Sequence, residues 1–314
     1  MTSRLKCLVI DNMHESLFPM LTDIGWGYDY QPTITRDGVR SILHGYDGII
    51  VRSKTIIDKD LLGDDPTIKF VGRAGAGLDI LDLVYLASKG IYVLHASEGN
   101  RDAVGEFAVG GLLSLMRNIP RADQQVKDMI WNREMNRGEE IMGKTVGIIG
   151  YGNMGHSFAK RLRGFECTVL AFDKYRVSYE DSACKASEMT RVFEESDIVS
   201  LHIPLTPETR GMVNKEYLKS FKKRIILINT ARGEIVSLAD LAWCMENGNV
   251  RGAVLDVLEN EKLDKLTGDQ QQALNSLRKR TDVIFSPHIA GWTYESHIKI
   301  NVALIHKIRA LPLK

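Results

Sequence analysis

The sequence predicts an α/β protein of two doubly wound parallel-sheet domains, one inserted in the other. Short apolar runs rich in branched residues alternate with amphipathic segments, a pattern typical of parallel strands covered on both faces by helices. A glycine-rich turn at 150–155 opens a second series of such units. An amphipathic segment at 296–309 follows that series, and we expect it to return to the first domain. The predicted domains are therefore 1–96 with 292–314, and 97–291.

Length and composition exclude several other classes of protein. The 314 residues suffice for two buried cores, and a formal net charge of +1 gives no broad basic surface for nucleic acid. Four scattered cysteines form neither a disulfide framework nor a metal motif, so we expect free thiols and no metal. No apolar run has the length of a membrane span or a signal peptide. We therefore expect a cytoplasmic protein without membrane or nucleic-acid partners.

The first domain is predicted to be a small flavodoxin-like unit. Strands are expected at 5–10, 48–51, 70–73 and 91–95. Helices are expected between them at 16–24, 38–44, 59–62 and 81–88. Sheets of this kind bind ligands outside the carboxyl ends of their strands, so the loops at that edge are candidate sites.

Residues 102–116 form an unusually apolar segment. It is apolar nearly all round, so a helix here is expected to be buried on every side. Its three glycines are expected to let the backbone of another segment pack close to it. A second, more amphipathic helix is expected at 120–132. The simpler interpretation is a long interdomain helix. The interpretation that we favour is a subunit interface, with a homodimer formed through 102–133.

The stretch 145–173 has the strand, glycine turn, helix and second strand of a dinucleotide-binding unit. Gly150, Gly152 and Gly155 have the G-x-G-x-x-G spacing. The first glycine makes a tight turn, the second admits a pyrophosphate close to the backbone, and the third lets helix and strand pack closely. The helix N-terminus offers backbone amides and a positive dipole end to the phosphates. These features predict a Rossmann domain.

Asp173 indicates which dinucleotide is bound. It ends the second strand, 23 residues after Gly150, where a carboxylate accepts hydrogen bonds from the ribose hydroxyls. A carboxylate also repels the additional phosphate of NADP, so NAD is the predicted cofactor. Lys174 and Arg176 follow it and weaken that preference.

The second domain continues with further βα units. Strands are expected at 197–203, 225–229, 252–257 and 282–286, which gives about six parallel strands from residue 145 onward. Helices are expected at 189–195 and 238–246. This is the number of strands that a doubly wound dinucleotide fold needs.

Three side chains that can do chemistry follow predicted strands of this domain. They are Arg232, Glu261 and His288, after the strands at 225–229, 252–257 and 282–286. Each has a simpler interpretation by itself: a surface ion pair, a solvated acid and a structural histidine. Because the carboxyl ends of parallel strands share one edge, all three are expected where the nicotinamide lies. Hydride transfer to a 2-keto acid needs a cation, an acid/base and a carboxylate that orients that base.

These segments belong to a series of motifs that resembles one known family. In chain order they are GYGNMG, LAFD, LHIPLTPET, INTARGEIV, AVLDVLENE and SPHIAGWT. The series resembles the NAD-dependent D-2-hydroxyacid dehydrogenase family over essentially the whole chain. The resemblance implies an NAD-dependent oxidoreductase that acts on the CH–OH group of a D-2-hydroxy acid.

The resemblance also implies the role of each site residue. The catalytic residues are Arg232, Glu261 and His288. The cofactor-binding residues are Gly150, Gly152, Asn153, Met154, Gly155, Asp173, His202, Thr230, Ala231, Asp256 and Gly291, with Asp256 at the carboxamide. The chain departs from the family in two places: Lys262 stands where a proline usually follows the glutamate, and a longer, helix-like loop, GDQQQALNSLRKR, follows.

The implied mechanism divides the chemistry among these residues. His288 takes the proton of the substrate hydroxyl while hydride passes from C2 to the nicotinamide. Glu261 favours the imidazolium form of His288. Arg232 holds the substrate carboxylate and polarises the 2-keto oxygen.

The first domain is expected to select the substrate. Its VRSKT segment resembles the branch of the family that acts on D-3-phosphoglycerate, and residues 131–133 resemble the place where a neighbouring subunit adds a base. The substrate-binding residues expected are Arg52, Ser53, Lys54, Gly75, Ala76, Gly77 and Arg133. Surface charge and an ordinary glycine loop are the simpler interpretations of these segments.

The predicted reaction is the oxidation of D-3-phosphoglycerate to 3-phosphohydroxypyruvate, the first step of serine biosynthesis. Because the chain stops at Lys314, we expect no carboxyl-terminal regulatory domain. The first alternative is a glyoxylate or hydroxypyruvate reductase, for which Arg52 needs no phosphate partner. The second is an NAD-sensing corepressor that recruits partners, which usually has long disordered tails.

Overall fold

The chain divides into two compact α/β units. The structure, a computed structural model, describes residues 5–176 and 178–313. Unit 1 comprises Met1–Asn100 and Trp292–Lys314, and unit 2 comprises Arg101–Gly291. Each unit is built on one parallel sheet, which confirms the predicted fold class.

Unit 1 contains a five-stranded sheet in which all neighbouring strands are parallel. Its strands are β1 (Lys6–Val9), β2 (Gly27–Tyr30), β3 (Gly48–Val51), β4 (Phe70–Arg73) and β5 (Tyr92–His95). The order β2-β1-β3-β4-β5 is that of flavodoxin, in which ligands bind at the carboxyl ends of β1 and β3. The sequence does not reveal β2, because this edge strand is nowhere fully buried and has no apolar run.

Four short helices connect these strands. They are α1 (Leu17–Asp23), α2 (Arg36–Ile42), α3 (Lys59–Leu62) and α4 (Leu83–Ser88). Side chains of Thr35, Asp58 and Asp82 each accept a hydrogen bond from a backbone amide in the first turn of α2, α3 and α4. These caps fix where the helices begin, two residues before the predicted start of α2 and two residues after that of α4.

Two helices precede the sheet of unit 2. They are α5 (Ser97–Met116) and α6 (Ile119–Lys127). Helix α6 ends earlier than predicted because Met129 adopts a left-handed backbone, with φ of 60°. The amide of Ile130 then donates to the Gln125 carbonyl over 2.8 Å, which closes the helix end.

Helix α5 has one packed face and one open face. A Cβ on Gly105 would lie 2.8 Å from the Ser157 hydroxyl, and a Cβ on Gly111 would lie 2.7 Å from Val254. A Cβ on Gly110 would meet nothing within 4 Å, and Glu106 on the same helix is exposed. The expectation that α5 is buried on every side is therefore wrong for the isolated chain.

Unit 2 contains a seven-stranded sheet, again with all neighbouring strands parallel. Its strands are β6 (Thr145–Ile149), β7 (Thr168–Phe172), β8 (Lys185–Ala186), β9 (Ile198–Leu201), β10 (Ile225–Asn229), β11 (Val250–Leu255) and β12 (Val283–Phe285). The order β12-β11-β10-β9-β6-β7-β8 is a Rossmann order extended by one strand. The strand not foreseen is β8, whose two residues are both exposed.

Six helices complete the chain. They are α7 (Asn153–Leu162), α8 (Met189–Glu195), α9 (Lys215–Lys219), α10 (Leu238–Glu246), α11 (Gly268–Leu277) and α12 (Tyr294–Arg309). Helix α11 lies in the loop that departs from the family pattern and begins with a capping box at Thr267 and Gln270. Helix α12 belongs to unit 1, where Ile300, Leu304 and Ile308 join the core beneath β1 and β3.

Over residues 5–176 and 178–313, no helix is long and apolar enough to cross a membrane. A cytoplasmic location stays a prediction.

Candidate active site

The glycine turn between β6 and α7 has the geometry that the motif predicts. Gly150 has φ of +91°, a left-handed backbone that favours glycine. A Cβ on Gly155 would lie 2.1 Å from the Gly150 carbonyl oxygen, whereas a Cβ on Gly152 would meet nothing within 4 Å. Gly152 is also the N-cap of α7 and supplies no side-chain cap. The amino end of α7, with Asn153 and Met154 in its first turn, therefore has space in front of it for an anion.

Asp173 follows β7 and braces the glycine turn. One carboxylate oxygen accepts from the Tyr151 amide over 2.8 Å, and the other accepts from the amides of Tyr175 and Arg176 over 3.0 and 3.1 Å. The Arg176 guanidinium donates to the Tyr151 carbonyl over 2.5 Å. A carboxylate has about four acceptor positions, so Asp173 keeps capacity for a further donor such as a ribose hydroxyl.

Tyr151, the residue between the first two glycines, is buried and holds the loop that follows β7. Its hydroxyl donates to the Asp181 carboxylate over 3.0 Å, and burial raises the pKa of this hydroxyl well above its usual range. No sequence pattern selects Asp181, which lies 30 residues away from its partner.

His202 follows β9 and lies against the same turn. Its Nε2 is 2.9 Å from the Ser200 hydroxyl, and burial lowers the pKa of the imidazole to about 3. The histidine is therefore neutral at physiological pH. A Cβ on Gly150 would lie 2.7 Å from the His202 carbonyl oxygen, so the backbones at the ends of β6 and β9 are closely packed.

Asn229 shapes the loop that carries Arg232. This asparagine ends β10 and is almost fully buried. Its side-chain oxygen accepts from the Ala231 amide over 3.1 Å, and its side-chain amide group donates to the Arg232 carbonyl over 3.0 Å. The Arg232 guanidinium donates to the Ala231 carbonyl over 2.7 Å. The buried Thr230 hydroxyl has no hydrogen-bond partner among the described residues.

The backbone at Gly233 joins the arginine loop to the loop after β11. A Cβ at this position would lie 1.8 Å from the Leu258 carbonyl oxygen and 2.7 Å from the Glu259 amide. Only glycine permits this approach, which sets two loops of the candidate site directly against each other.

Asp256 organises the histidine loop. Its buried carboxylate accepts from the Ser286 hydroxyl over 2.5 Å and from the amides of Ile289 and Ala290 over 2.8 Å each. Its carbonyl accepts from the His288 amide over 2.7 Å. These bonds hold His288 at φ of +57°, a conformation that is uncommon for any residue with a side chain.

The structure brings His288 and Glu261 together. Nδ1 of His288 lies 2.9 Å from one oxygen of Glu261 and 3.2 Å from the other. About half of each side chain is exposed, so the pair contributes at most roughly 1 kcal/mol to stability. Its effect is to orient the imidazole, with Nε2 left for a substrate proton. The neighbouring Glu259 points elsewhere and caps α10 at Leu238 over 2.9 Å.

Unit 1 contains a second cluster, at the carboxyl ends of its strands. The Arg52 guanidinium lies 3.9 Å above the ring of Trp292, and one of its nitrogens is 3.1 Å from Nε2 of His297. Desolvation lowers the pKa of Arg52, and desolvation followed by the charge of Arg52 lowers the pKa of His297. Within the described part of the chain, no carboxylate oxygen lies within 4 Å of the guanidinium. The sequence assigned no role to Trp292 or His297.

The other candidates in unit 1 differ in what they can offer a ligand. The amides of Arg52 and Ser53 donate to the Asp11 carboxylate over 2.5 and 3.2 Å. The Lys54 ammonium donates to the carbonyls of Ile10 and Pro32 over 3.1 and 2.8 Å, so two acceptors already engage it.

The remaining predicted substrate-binding residues are the glycine loop at 75–77 and Arg133. Gly75 has φ of +152° and its carbonyl accepts from the Ala96 amide over 2.8 Å; Ala76 and Gly77 follow it. Arg133 lies in unit 2, exposed in the loop after α6. No cluster of three or more metal-ligating side chains occurs within residues 5–176 and 178–313.

Residues 109–290 match the model of the NAD binding domain of the D-isomer specific 2-hydroxyacid dehydrogenases. The chain belongs to this family. It is 39% identical over 262 residues to a D-3-phosphoglycerate dehydrogenase of Bacillus subtilis, covering 82% of this chain and 48% of that protein. It is 34% identical over 275 residues to a hydroxypyruvate reductase of Thermotoga maritima, covering 88% of each. The chain thus spans about half the length of the first of these relatives.

The crystal structure of a D-lactate dehydrogenase from Aquifex aeolicus, complexed with NAD and lactic acid, has the same fold. The two structures align with a TM-score of 0.82 at 26% identity, over 97% of this chain and 94% of that one. NAD fits unit 2 on two observations of its own. The space in front of Gly152 admits a phosphate group, and the unpartnered Thr230 hydroxyl is a buried polar atom that a ligand can satisfy.

Proposed function

We propose that this protein transfers hydride between NAD and the C2 position of a D-2-hydroxy acid. The observation that carries the proposal is the 2.9 Å contact between His288 and Glu261 in the unit that belongs to an NAD-binding family. An imidazole oriented by a carboxylate is the acid/base that alcohol oxidation needs. The loop of Arg232 packs against the loop that carries Glu261. Arg232 supplies the positive charge that the substrate needs.

Each catalytic residue has one role in this proposal. Nε2 of His288 accepts the hydroxyl proton during oxidation and returns it during reduction. Glu261 orients the ring through its contact with Nδ1. Arg232 binds the substrate carboxylate and stabilises the negative charge that develops on the 2-keto oxygen. When bound, NAD accepts the hydride that leaves C2.

The proposed cofactor contacts lie along the carboxyl edge of the unit 2 sheet. The amino end of α7, with Gly150, Gly152, Asn153, Met154 and Gly155, binds the pyrophosphate, and Asp173 binds the adenosine ribose. We place the nicotinamide end beside His202, Thr230, Ala231, Asp256 and Gly291. The three donors on the Asp256 carboxylate support a role in holding the histidine loop as well as the carboxamide.

Replacing Gly152 by alanine separates cofactor binding from folding. Because its Cβ meets nothing within 4 Å, we expect the free energy of unfolding to change by less than about 0.5 kcal/mol. We expect the Kd for NADH to rise at least roughly tenfold, because the methyl group occupies the space of a phosphate. Urea denaturation and calorimetric titration measure the two effects. Gly164→Ala, at another open glycine of unit 2, is the control; equal NADH affinity in both variants contradicts the assignment.

We propose D-3-phosphoglycerate as the substrate, oxidised to 3-phosphohydroxypyruvate at the start of serine biosynthesis. Arg52 supports a doubly anionic substrate, because it is a half-buried cation whose guanidinium has no carboxylate within 4 Å in the described chain. Stacking on Trp292 and the bond to His297 orient its remaining donors. We assign to Ser53 and to the loop at 75–77 additional contacts with the substrate. Lys54 adds positive potential rather than a direct contact.

Hydroxypyruvate reduction is the second candidate, favoured by the relative in Thermotoga maritima that matches over 88% of both chains. Rates of NADH oxidation with 3-phosphohydroxypyruvate, hydroxypyruvate and glyoxylate separate the two. We expect kcat/KM to be at least roughly 100-fold higher for the phosphorylated acid, because a charged, bidentate contact contributes several kcal/mol. Equal values, or a preference for hydroxypyruvate, reject our choice of substrate.

We further propose a homodimer formed through α5, α6 and the loop to residue 133. The open face of α5 continues into a loop in which Met129 is 92% and Trp131 is 81% exposed. Apolar patches of this kind mark interaction sites. Arg133, in the same loop, is the residue that we expect to act in a neighbouring subunit.

Replacing Trp131 by serine tests this interface. Large aromatic side chains dominate the energy of such contacts, so we expect the dimer Kd to rise at least about 30-fold. Analytical ultracentrifugation over a range of protein concentrations measures this change. Tyr294→Ser, at another exposed aromatic residue, is the control. A parent protein that is monomeric at every concentration contradicts the proposal.

A further inference from the structure

The loop that carries Glu261 is held by side chains rather than by secondary structure. It runs from the end of β11 to the start of α11, and Glu261, Lys262 and Leu263 are all exposed. Lys262 stands where the family usually has a proline, which would restrict the backbone. The Glu261 carboxylate nevertheless reaches His288. Another feature must therefore hold this turn.

Asn260 closes the turn around Glu261. Its side-chain oxygen accepts from the Lys262 amide over 3.0 Å, an Asx turn that spans Glu261. Its amide group donates to the Lys265 carbonyl over 2.9 Å and to the Gln270 side-chain oxygen over 3.3 Å.

Gln270, in the first turn of α11, bonds to the two residues that precede Glu261. Its amide group donates to the Glu259 carboxylate over 3.2 Å, and its oxygen accepts from Asn260. The other oxygen of Glu259 accepts from the Leu238 amide over 2.9 Å at the start of α10. The side chains of Glu259, Asn260 and Gln270, which we name the clamp, thus tie this loop to two helices.

We propose that Gln270 and Asn260 are positioning residues that act through Glu261 on His288. This inference rests on the proposed function, since it assigns the clamp a role in the same acid/base step. The exposed Glu261–His288 pair contributes little free energy by itself and cannot order a loop. The clamp supplies that order, because its five hydrogen bonds offset the side-chain entropy that is lost when the loop is held. The inserted helix α11 replaces the backbone restraint of the proline.

Gln270→Ala tests the clamp, with Gln271→Ala as the matched control on the same helix. The Gln271 side chain donates a hydrogen bond to the Asn275 side-chain oxygen over 3.4 Å, on the same helix. We expect Gln270→Ala to lower kcat for keto-acid reduction by roughly tenfold with KM changed less than twofold, because the oriented acid is displaced. In a Glu261→Gln background the same change is expected to lower kcat less than about twofold, since both act through one carboxylate. Additive effects overturn the proposal.

A measurement on the protein without substrate separates this proposal from the reaction itself. The ring nitrogen signals of His288, assigned with a His288→Asn variant, can be compared by NMR at one pH. We expect the Nδ1 signal to change its chemical shift in Gln270→Ala and to match the parent in Gln271→Ala, because the Glu261 carboxylate is less often beside Nδ1. Asn260→Ser keeps a side-chain oxygen near the Lys262 amide but loses both bonds that the amide group donates, and the same change is expected. An unchanged Nδ1 signal in both variants overturns the clamp, whatever the substrate proves to be.

Discussion

Arg232→Ala is expected to lower kcat/KM by about 10³-fold or more while the Kd for NADH changes less than about threefold. A single preorganised donor to a developing oxyanion contributes roughly 10²- to 10³-fold, and this guanidinium also binds the substrate carboxylate. The shape of the loop is expected to persist, because the buried Asn229 side chain bonds backbone groups of Ala231 and Arg232, which the substitution keeps. Steady-state assays of the reduction, with NADH affinity measured by titration, test both parts.

Two controls make this result specific. Arg232→Lys keeps the charge but loses the bidentate geometry, so we expect a partial loss between the parent and the alanine variant. Arg210→Ala removes an exposed arginine of the same unit, 3.9 Å from Glu234, and is expected to retain full activity. A kcat/KM for Arg232→Ala within tenfold of the parent contradicts the assignment.

His288→Asn is expected to lower kcat by roughly 10²- to 10⁴-fold in both directions, because the step loses its general acid and base. Glu261→Gln removes the carboxylate that orients the ring at Nδ1, so we expect kcat to fall roughly tenfold or more in both directions.

Steady-state values of kcat in both directions, at one pH, measure these losses. His306→Asn, at a histidine on the last helix in unit 1, is the control. A kcat for Glu261→Gln equal to that of the parent contradicts the acid/base pair, even if His288 proves essential.

The sequence predicts those parts of the fold that depend on local patterns. Buried strands such as β3 and β10 are continuous apolar runs, and both have the predicted bounds. The sequence does not predict the edge strands β2 and β8, because their partly or fully exposed residues form no such run. Helix α6 was predicted too long because its amphipathic pattern continues past Met129, whose backbone conformation no local pattern reveals.

The contacts of the candidate site are also predictable only where they follow from local patterns. Loops after parallel strands share one edge, so the approach of Glu261 and His288 could be expected from their positions. Contacts such as Arg52 with His297, 245 residues apart, depend on how a distant helix packs. Lys54 was expected to bind an anion, but its ammonium group donates to two carbonyls that no sequence pattern identifies. The proposed role of α11 cannot be predicted from a local pattern either, because it depends on the contacts of Gln270 with the preceding loop.

Transfer of deuterium tests the central claim, that hydride moves from C2 of a D-2-hydroxy acid to NAD. The protein is incubated with NAD and with D- or L-3-phosphoglycerate deuterated at C2, and the reduced cofactor is analysed by mass spectrometry. We predict one deuterium in each NADH formed from the D isomer and no NADH from the L isomer. NADH formed without deuterium, or transfer from the L isomer at an equal rate, would contradict the account.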